Sequence, residues 1–427
     1  MLTSSYPRYE GDIAGTFVKS LAAQVVAQGH EVHVVAPDDG APHGRSGDRA
    51  GVVEHWFPYA PHDRLRVMGY AKALDGDQRL HRLAYAMLPP YAASALARIS
   101  AVARRVGCDV VHAHWALPSG AIAAAASLAL ERPLVVSLHG SDAYVAERHP
   151  VFGAVAGAAL RRASAVTACS RDLRDRAVRL GAPPGWTSVV PYGVDTARFA
   201  GREVEAARLR ARLGIAASTP VVLAFGRMVP KKGFEYLVDA LPSIVERHPE
   251  ARLVLGGGGT LEDELRARAA ARGVGPAVLM PGRIAWTDVP ALLAAADLFV
   301  LPSVADTEGN VDGLPNVLLE AMASGRAVVA TRVGGVPDVV EDRREGRLVP
   351  PRSAAALADA IVELLERPDE RRRLGTAARG RIEAGLTWRA VAARFVELYA
   401  GVVATAPFAW RRAEAQGAFS LWERRHV

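Results

Sequence analysis

Apolar residues along the chain fall into short continuous runs that alternate with stretches of helical spacing. Ten runs rich in β-branched residues occupy positions 31–37, 109–114, 134–140, 165–170, 188–193, 220–227, 251–258, 277–283, 297–303 and 327–335. Continuous apolar strands separated by helices are typical of parallel sheets buried on both faces. Because the runs form two series, the pattern predicts an α/β protein with two doubly wound, Rossmann-like units.

A charged segment separates the two series. We expect an N-terminal domain over 1–200, a linker that contains the helix EVEAARLRARLG, and a C-terminal domain over 215–386. The segment 387–427 begins with an amphipathic helix. Among the large apolar residues of its tail, Trp410, Phe419, Leu421 and Trp422 lie among arginines. Packing against the core is one interpretation of this tail, and attachment to anionic lipid is the other.

The charge, the cysteine count and the lengths of the apolar runs argue against a nucleic-acid-binding, a disulfide-rich and a membrane-spanning protein. The 427 residues include 52 basic and 45 acidic side chains, a net charge of +7, without a DNA- or RNA-binding signature. Nucleic acid is therefore not an expected partner. The two cysteines, Cys108 and Cys169, are too few for a disulfide framework or a zinc site. With no secretory signal and no apolar run of about 20 residues, we expect a cytoplasmic protein that could touch the membrane surface.

The segment DTEGNVDGLPNVLLEAMASG at 306–325 carries the strongest candidate site. Pro315 fits the first turn of a helix, where a missing N–H costs nothing. The amides of Asn316 and Val317 would then be free at a helix N-terminus, which favours an anion. Asp312 and Glu320 are eight positions apart, so we expect both carboxylates near one side of this element, where they could bind sugar and ribose hydroxyls. An amphipathic helix with two surface acids is the alternative.

Cations follow a strand in GRMVPKKGFEYLVDA at 226–240. Arg227 leaves the strand, and Lys231 or Lys232 lies at the turn before Gly233. Two cations at the carboxyl edge of a parallel sheet suit a diphosphate. A solvated basic loop would also explain them.

Histidines follow two strands of the first series. His139, in SLHGSD, comes directly after a strand and could contact a sugar hydroxyl or a phosphate. His112 and His114 are placed similarly, but no carboxylate lies at ligand spacing, so we expect no metal. Gly11 and Gly15 form a turn before a helix, where backbone can approach a ligand closely. Neither this turn nor GGGG at 256–259 is a dinucleotide fingerprint, so NAD is not expected.

Taken together and in this order, these segments resemble the GT-B glycosyltransferases of family 4, the group that includes bacterial phosphatidylinositol mannosyltransferases and sucrose synthases. The likeness covers about residues 1–400. It depends on the combination GR…KKG, GR, LPS, an acid eight positions before a Glu, EAMA-G and GG-PD. The resemblance implies two Rossmann-like domains that face a cleft, with the C-terminal helix crossing back to the N-terminal domain.

The resemblance also implies residue roles. Arg227 and Lys232 are similar to the family's diphosphate-binding pair, and Glu320 to the Glu that holds the ribose. Asp312 stands where the family has a Glu that contacts the donor sugar. The shorter side chain sets its carboxylate about 1.5 Å further back, the length of one carbon–carbon bond, and Glu308 could compensate.

His139 resembles a family histidine that touches the donor sugar near the reacting centre, and Gly15 matches a glycine turn that faces the diphosphate. The other donor-binding residues implied are Gly282, Arg283, Ile284, Leu314, Asn316 and Val317. Gly282 to Ile284 resemble the turn beside the nucleobase. Tyr192, in VPYGVD, replaces the Asn that is more usual in the family, and the sequence offers no reason for the change.

The activity implied is transfer of a hexose, with retained anomeric configuration, from a UDP- or GDP-linked sugar to a hydroxyl of a glycan or lipid-linked acceptor. The leaving diphosphate would be stabilised by fixed cations and a helix N-terminus, so we expect neither a metal nor another cofactor. Loops within 38–75 would contact the acceptor. Two alternatives stay open: another GT-B activity, such as a nucleotide-sugar epimerase or a phosphorylase, and a non-catalytic nucleotide-sugar-binding protein.

Overall fold

The computed structural model describes residues 1–41, 50–70, 72–75 and 79–405. Part of the expected acceptor loop 38–75 and the whole tail after residue 405, with Trp410, Phe419, Leu421 and Trp422, lie outside this range. The chain divides into two units. Unit 1 comprises Met1–Tyr192 and Trp388–Val427, and unit 2 comprises Gly193–Thr387.

Unit 1 is built on a parallel sheet covered by helices. Its strands are β1 (Val32–Pro37), β2 (Val52–Phe57), the short antiparallel pair β3 (Leu74–Asp75) and β4 (Arg79–Leu80), β5 (Val111–His114), β6 (Leu134–Leu138), β7 (Ala165–Ala168) and β8 (Thr187–Val189). Its helices up to the boundary are α1 (Thr16–Ala27), α2 (Arg82–Val106), α3 (Ala121–Leu130), α4 (Ser141–Arg148), α5 (Pro150–Arg162) and α6 (Arg171–Arg179). β5 to β8 pair in chain order and β1 pairs with β2, all in parallel.

The first residues of the chain join these two groups of strands. Leu2 forms parallel bridges to both Val35 of β1 and Ala113 of β5. Its amide donates to the carbonyl of His112 and its carbonyl accepts from the amide of His114. The short opening segment therefore lies inside the sheet, between β1 and β5.

Unit 2 has a six-stranded parallel sheet in the order β11-β10-β9-β12-β13-β14. The strands are β9 (Val221–Phe225), β10 (Arg252–Gly256), β11 (Val278–Leu279), β12 (Leu298–Leu301), β13 (Ala327–Thr331) and β14 (Gly346–Val349). The helices are α7 (Glu203–Arg212), α8 (Phe234–Arg247), α9 (Glu262–Ala271), α10 (Val289–Ala295), α11 (Asn316–Ala323), α12 (Val336–Val339), α13 (Ala354–Glu366) and α14 (Pro368–Gly385). The order reverses direction between β9 and β12, the kind of point at which doubly wound sheets bind ligands.

The last described helix, α15 (Trp388–Thr405), belongs to unit 1. Val391, Phe395, Leu398 and Val402 are buried in the core that α1 and β1 also line. This confirms the prediction that the amphipathic C-terminal helix returns to the N-terminal unit. Among the described helices, none has the length and hydropathy of a bilayer-spanning segment.

All ten predicted runs contain a strand, and four strands were missed: the short antiparallel pair β3 and β4, β2 and β14. β2 carries Glu54 and His55 in buried positions, so its sequence lacks the continuous apolar run that marks the other strands. β14 is only four residues long and begins with Gly346 and Arg347. Of the predicted run at 277–283, only Val278–Leu279 is a strand, because β11 lies at the edge of its sheet.

Candidate functional site

In unit 1, three histidines lie on two neighbouring strands, with His112 inside β5, His114 at its carboxyl end and His139 just after β6. We call His112, His114 and His139 the histidine cluster. β5 and β6 are paired so that His114 is opposite Ser137, and His139 follows one residue after β6 ends. His114 Nδ1 is 3.1 Å from His139 Nε2, and His139 Nδ1 is 2.8 Å from the hydroxyl of Tyr192. Both ring nitrogens of His139 are therefore engaged by side chains of the same unit.

The histidine cluster is neutral at physiological pH. Burial lowers the pKa of His139 to about 3. Burial and the nearby positive groups hold the pKa values of His112 and His114 well below the ordinary value of an imidazole. Neutral imidazoles are also potential metal ligands, but the described residues contain no group of three His, Cys, Asp or Glu arranged to hold a metal ion.

A buried carboxylate fixes the turn that follows His139. Asp142 Oδ1 accepts from the amides of Gly140 at 3.0 Å and His139 at 3.3 Å, and its Oδ2 accepts from the amide of Ala116 at 2.7 Å. Burial raises the pKa of Asp142, although the backbone amides act in the opposite direction. Asp142 thus fixes the turn that leads from the end of β6 into α4.

The glycine turn before α1 places an aromatic ring against His139. Gly15 has φ +66°, and a Cβ atom there would overlap the carbonyl oxygen of Ser5, so only glycine fits. α1 begins at the next residue. The Phe17 ring centroid then lies 4.6 Å from that of His139 and 5.0 Å from that of Tyr192. The predicted residues Gly15 and His139 therefore belong to one packed region of unit 1.

In unit 2, two lysines share one carboxylate. We call Lys231, Lys232 and Asp312 the lysine–aspartate cluster. Asp312 Oδ2 is 2.5 Å from Lys232 Nζ, and Asp312 Oδ1 is 3.4 Å from Lys231 Nζ. Burial alone would raise the pKa of Asp312, but the charges of Lys232 and Lys231 outweigh it and hold that pKa below its ordinary value. Because two ammonium groups face one carboxylate, the cluster retains a positive charge.

Glycines bring the two parts of this cluster together. Gly233 has φ +64°, and a Cβ atom there would overlap the carbonyl oxygen of Pro302, just beyond β12. The carbonyl of Lys231 accepts from the amide of Val304 at 2.9 Å. A Cβ atom on Gly334 would overlap the backbone carbonyl of Asp312. The loops after β9, β12 and β13 therefore meet backbone to backbone around the lysines.

Arg227 lies on the same strand-to-helix loop as the lysines, with an exposed side chain. A Cβ atom on Gly226 would lie 3.6 Å from Lys232 Cε, so the lysine stem runs beside the residue that precedes Arg227. The structure thereby brings the GR and KKG motifs together. It also explains the GGGG segment: a Cβ atom on Gly257 would overlap the carbonyl of Gly226, and the amide of Met228 donates to the carbonyl of Gly258 at 3.0 Å.

α11 begins at Asn316, and Pro315 is its N-cap rather than a residue of its first turn. The amide of Leu318 donates to the carbonyl of Pro315 at 3.1 Å. The amides of Asn316 and Val317 donate to no group among the described residues, as the anion-site hypothesis requires. Leu314 is buried, so only its backbone could contact a ligand.

Two further predicted segments lie on other loops of unit 2. Glu308 is exposed on a loop that Asp306 organises, because the Asp306 carboxylate accepts from the amides of Glu308 and Asn310 at 2.9 Å each. On the predicted turn at 282–284, the carbonyl of Gly282 accepts from the amide of Gly257 at 2.7 Å, which places this turn beside the GGGG segment. Arg283 is exposed and Ile284 is partly buried.

Glu320 lies within α11, whereas Asp312 precedes the helix, so helical spacing does not relate the two carboxylates. Burial raises the pKa of Glu320 to about 7, and the charge of Arg198 opposes that rise. The guanidinium carbon of Arg198 is 3.3 Å from the centroid of the half-exposed Trp286 ring. Asp312 is thus a paired carboxylate, while Glu320 titrates near neutral pH.

Sequence reasoning missed several of these residues. Asp142 follows His139 by three residues, but the sequence does not show that its carboxylate accepts from amides of two separate loops. Arg198 and Trp286 are distant in sequence and have no motif that joins them. Tyr192 was noted as unusual, but its contact with His139 depends on the packing of β6 against β7 and the segment after β8.

Comparison with known proteins agrees with this architecture. The family model "Glycosyltransferase Family 4" matches residues 14–198, and the model "Glycosyl transferases group 1" matches residues 205–381. A curated relative from Mycolicibacterium smegmatis is 31% identical over 413 residues, which cover 94% of this chain and 98% of the relative. The chain belongs to glycosyltransferase family 4. The enzyme is therefore a glycosyltransferase.

The M. smegmatis relative is a GDP-mannose-dependent alpha-(1-6)-phosphatidylinositol monomannoside mannosyltransferase. Among solved structures, the enzyme is similar to Anabaena Alr3699/HepE in complex with UDP, with TM-score 0.72, 22% identity, and coverage of 93% of this chain and 98% of that chain. It is also similar to sucrose-phosphate synthase from Thermosynechococcus elongatus, with TM-score 0.73, 23% identity, and coverage of 95% and 98%. These neighbours confirm the predicted GT-B fold with two Rossmann-like domains.

Proposed function

We propose that this glycosyltransferase moves a hexose from a nucleoside-diphosphate sugar to a hydroxyl of a glycan or lipid-linked acceptor, with retention of the anomeric configuration. GDP-mannose is the first donor to test, because the relative aligned over 94% of the chain is a GDP-mannose-dependent mannosyltransferase. The same relative acts on a phosphatidylinositol mannoside, which makes a lipid-linked mannoside the first acceptor to test.

The lysine–aspartate cluster is the observation that carries the proposal. Two ammonium groups and one carboxylate leave a net positive charge at the carboxyl edge of the sheet in unit 2. Four residues after Asp312, α11 begins with two amides that have no acceptor among the described residues. Ammonium groups and helix-terminal amides are the donors that bind phosphate oxygens best. We assign the donor diphosphate to these groups, with Arg227 as a further cation.

The charges of this site favour the step in which the sugar leaves. As the bond between the anomeric carbon and the diphosphate breaks, negative charge grows on the departing phosphate oxygen, where Lys232, Arg227 and the α11 amides would stabilise it. In this proposal Asp312 accepts from a hydroxyl of the donor sugar and Glu320 from the ribose. His139 has the role that the resemblance to the family gives it, next to the donor sugar.

Retention is taken in this proposal from the resemblance to the family, and because no nucleophile is assigned, we propose a front-face displacement rather than a double displacement. The acceptor oxygen bonds to the anomeric carbon on the face that the diphosphate leaves, and the diphosphate takes the acceptor proton. The configuration of the product tests this directly. With GDP-mannose, an α-mannoside measured by its one-bond carbon–proton coupling is expected, and a β-mannoside would contradict retention.

A donor panel tests the substrate class. Thermal unfolding is followed with GDP-mannose, UDP-glucose and ADP-glucose, since a donor at 100 times its dissociation constant stabilises the protein by about 2.7 kcal/mol. Transfer is then assayed with a phosphatidylinositol mannoside, with and without EDTA. We expect GDP-mannose to stabilise and to be consumed only with acceptor. Conversion of the nucleotide sugar without acceptor would support an epimerase, and binding without turnover would support a non-catalytic protein.

Association with a membrane surface is part of the proposal, since a lipid-linked acceptor is embedded in one. Co-sedimentation with anionic vesicles at low and high salt checks it. A protein that stays in the supernatant with vesicles containing the acceptor would contradict this part while leaving the transfer reaction itself untouched.

A further inference from the structure

Tyr192 is buried, 8% exposed, and its hydroxyl lies 2.8 Å from Nδ1 of His139. The two rings are nearly parallel, with an angle of 18° between their planes, and Phe17 packs against both. The cavity that these side chains border measures about 20 Å³. A space of that size holds one water molecule and nothing larger. A sugar or a nucleotide does not fit in this space, and the side-chain contact of Tyr192 with the candidate site is its hydrogen bond to His139.

We infer that Tyr192 is a positioning residue, whose hydroxyl donates to Nδ1 of His139 and so keeps the imidazole proton on Nε2 and the ring in one orientation. This inference rests on the proposed function for its effect on turnover. The hydrogen bond and the tautomer are properties of the free protein and can be measured without any substrate.

Proton counting favours this direction of the hydrogen bond. A neutral imidazole has one N–H and one lone pair, and His139 has partners on both nitrogens. If Tyr192 donates to Nδ1, the Nε2 proton of His139 donates to Nδ1 of His114. If instead Nδ1–H of His139 donated to the Tyr192 oxygen, the phenol would have to donate its own proton to the sulfur of Cys169, which interacts with the same phenol. Sulfur is a weak acceptor, so the phenol proton is better placed on the imidazole.

Other features of the site are consistent with a locked neutral ring. Burial raises the pKa of Tyr192 well above its ordinary value, so the phenol keeps its proton. Nε2 of His114 is buried and has no partner among the described residues; it carries an N–H in the proposed arrangement and a lone pair in the reverse one. The carboxylate of Asp142 accepts from the amides of His139 and Gly140, so the backbone at the end of β6 is held in place as well as the ring.

The protein contains a matched control. Tyr399 on α15 lies 2.6 Å from Nδ1 of His112, the same pair of atoms in the same core. Nε2 of His112 is bonded to Ser137 rather than to His139. Tyr399→Phe therefore removes a phenol–imidazole hydrogen bond of the same kind without touching His139.

The test compares Tyr192→Phe with Tyr399→Phe in the full-length protein. With ¹⁵N-labelled histidine, and with the His139 resonances assigned from a His139→Gln variant, we expect His139 to carry its proton on Nε2. Tyr192→Phe should give a mixture of tautomers, and Tyr399→Phe should leave His139 unchanged. A proton on Nδ1 in the unmodified protein, or an unchanged tautomer in Tyr192→Phe, would overturn the inference.

The kinetic test uses the donor identified by the panel. We expect Tyr192→Phe to lower kcat by about 10- to 100-fold, the effect of small misplacement at a reacting centre, with KM for the donor changed by less than about twofold. Tyr399→Phe should stay within about twofold in both constants. Equal losses in the two variants would show a merely structural role. If no donor is turned over by the unmodified protein, the proposed function fails, while the tautomer measurement still decides the role of Tyr192.

Discussion

The histidine cluster of unit 1 and the lysine–aspartate cluster of unit 2 occupy the same kind of place, at or near the carboxyl ends of parallel strands, yet they use opposite electrostatics. The histidine cluster is neutral, and His139 is engaged on both ring nitrogens by neighbouring side chains. The lysine–aspartate cluster is fully charged, with two cations on one carboxylate. Hydrogen bonds within unit 1 hold the side chains of the histidine cluster in place. We propose that the ammonium groups of the lysine–aspartate cluster, which contact Asp312 in the free protein, bind a phosphate when the donor is present.

The helix starts beside the two clusters differ in the same way. At α4, the buried carboxylate of Asp142 accepts from the nearby amides. At α11, the N-cap is Pro315, which has no side-chain acceptor, and the first two amides remain unused by the described residues. A helix N-terminus binds an external anion only where the chain has not supplied its own acceptor. We propose that the anion binds at the start of α11, in unit 2.

The largest expected effect comes from the charged region. Lys232→Ala should lower kcat/KM by about 10²- to 10³-fold, because it removes a cation that stabilises the departing diphosphate and leaves Asp312 less compensated. Steady-state transfer from the donor found in the panel measures the loss. Lys231→Ala is the comparison variant, and we expect a smaller loss from it because Lys231 is further from the same carboxylate, at 3.4 Å rather than 2.5 Å. If Lys232→Ala were as active as Lys231→Ala, the proposed role of Lys232 in stabilising the departing diphosphate would be contradicted.

The glycine turns test a feature that both regions share. Gly15 and Gly233 have φ values of +66° and +64°, and each lies against a backbone carbonyl. We expect Gly15→Ala and Gly233→Ala each to destabilise the protein by roughly 2–5 kcal/mol, from positive-φ strain plus overlap. Gly11→Ala and Gly309→Ala are matched controls with positive φ and open space, and should cost about 1 kcal/mol.

Thermal unfolding measures these four variants, and hydrogen exchange over α1 and α8 locates the loss. Equal effects of the crowded and the open glycines would contradict the packing described for these turns.

A smaller effect concerns pH. The pKa of Glu320 is about 7, so its carboxylate is largely ionised at pH 8 and about one-tenth ionised at pH 6. If ionised Glu320 accepts from the ribose, nucleoside-diphosphate affinity should fall by up to about tenfold between these values. Glu320→Gln should lose this part of the dependence, while titration of the phosphate itself affects both proteins equally. Calorimetry at pH 6, 7 and 8 compares them, and identical profiles would exclude the role.

The same residue predicts a change in stability with a defined sign. The pKa of Glu320 is higher in the folded protein than its ordinary value of 4.5, so the folded state prefers the protonated carboxyl. Folding stability is therefore lost as pH rises from about 4.5 to 7, where Glu320 ionises. Glu320→Gln should raise Tm at pH 8, and the gain should vanish near pH 4.5. The histidine cluster contributes with the opposite sign: burial lowers its pKa values in the folded protein, so the stability it contributes is lost as pH falls below about 6.5, the ordinary pKa of histidine. Comparing Glu320→Gln with the unmodified protein at each pH separates the two contributions.

The sequence by itself determined the fold class and most of the candidate chemistry. Continuous apolar runs identified ten of the strands, because strands buried on both faces leave that pattern in any parallel sheet. Loops that follow those strands carry Arg227, Lys232, Asp312 and His139, and the edge rule places such residues near ligands. β2 was not predicted because the polar residues Glu54 and His55 interrupt its apolar run, although both are buried in the folded protein.

Only the tertiary structure decided how these residues are paired. The contact between Lys232 and Asp312 spans 80 residues and depends on glycines that let three loops touch backbone to backbone. The contact of Tyr192 with His139 spans 53 residues and gives a reason for a tyrosine that the sequence left unexplained. Strand patterns depend on local burial, which a sequence records residue by residue. Contacts between side chains at the ends of strands depend on the order of the strands in the sheet and on tertiary packing. The local spacing of residues in the sequence specifies neither.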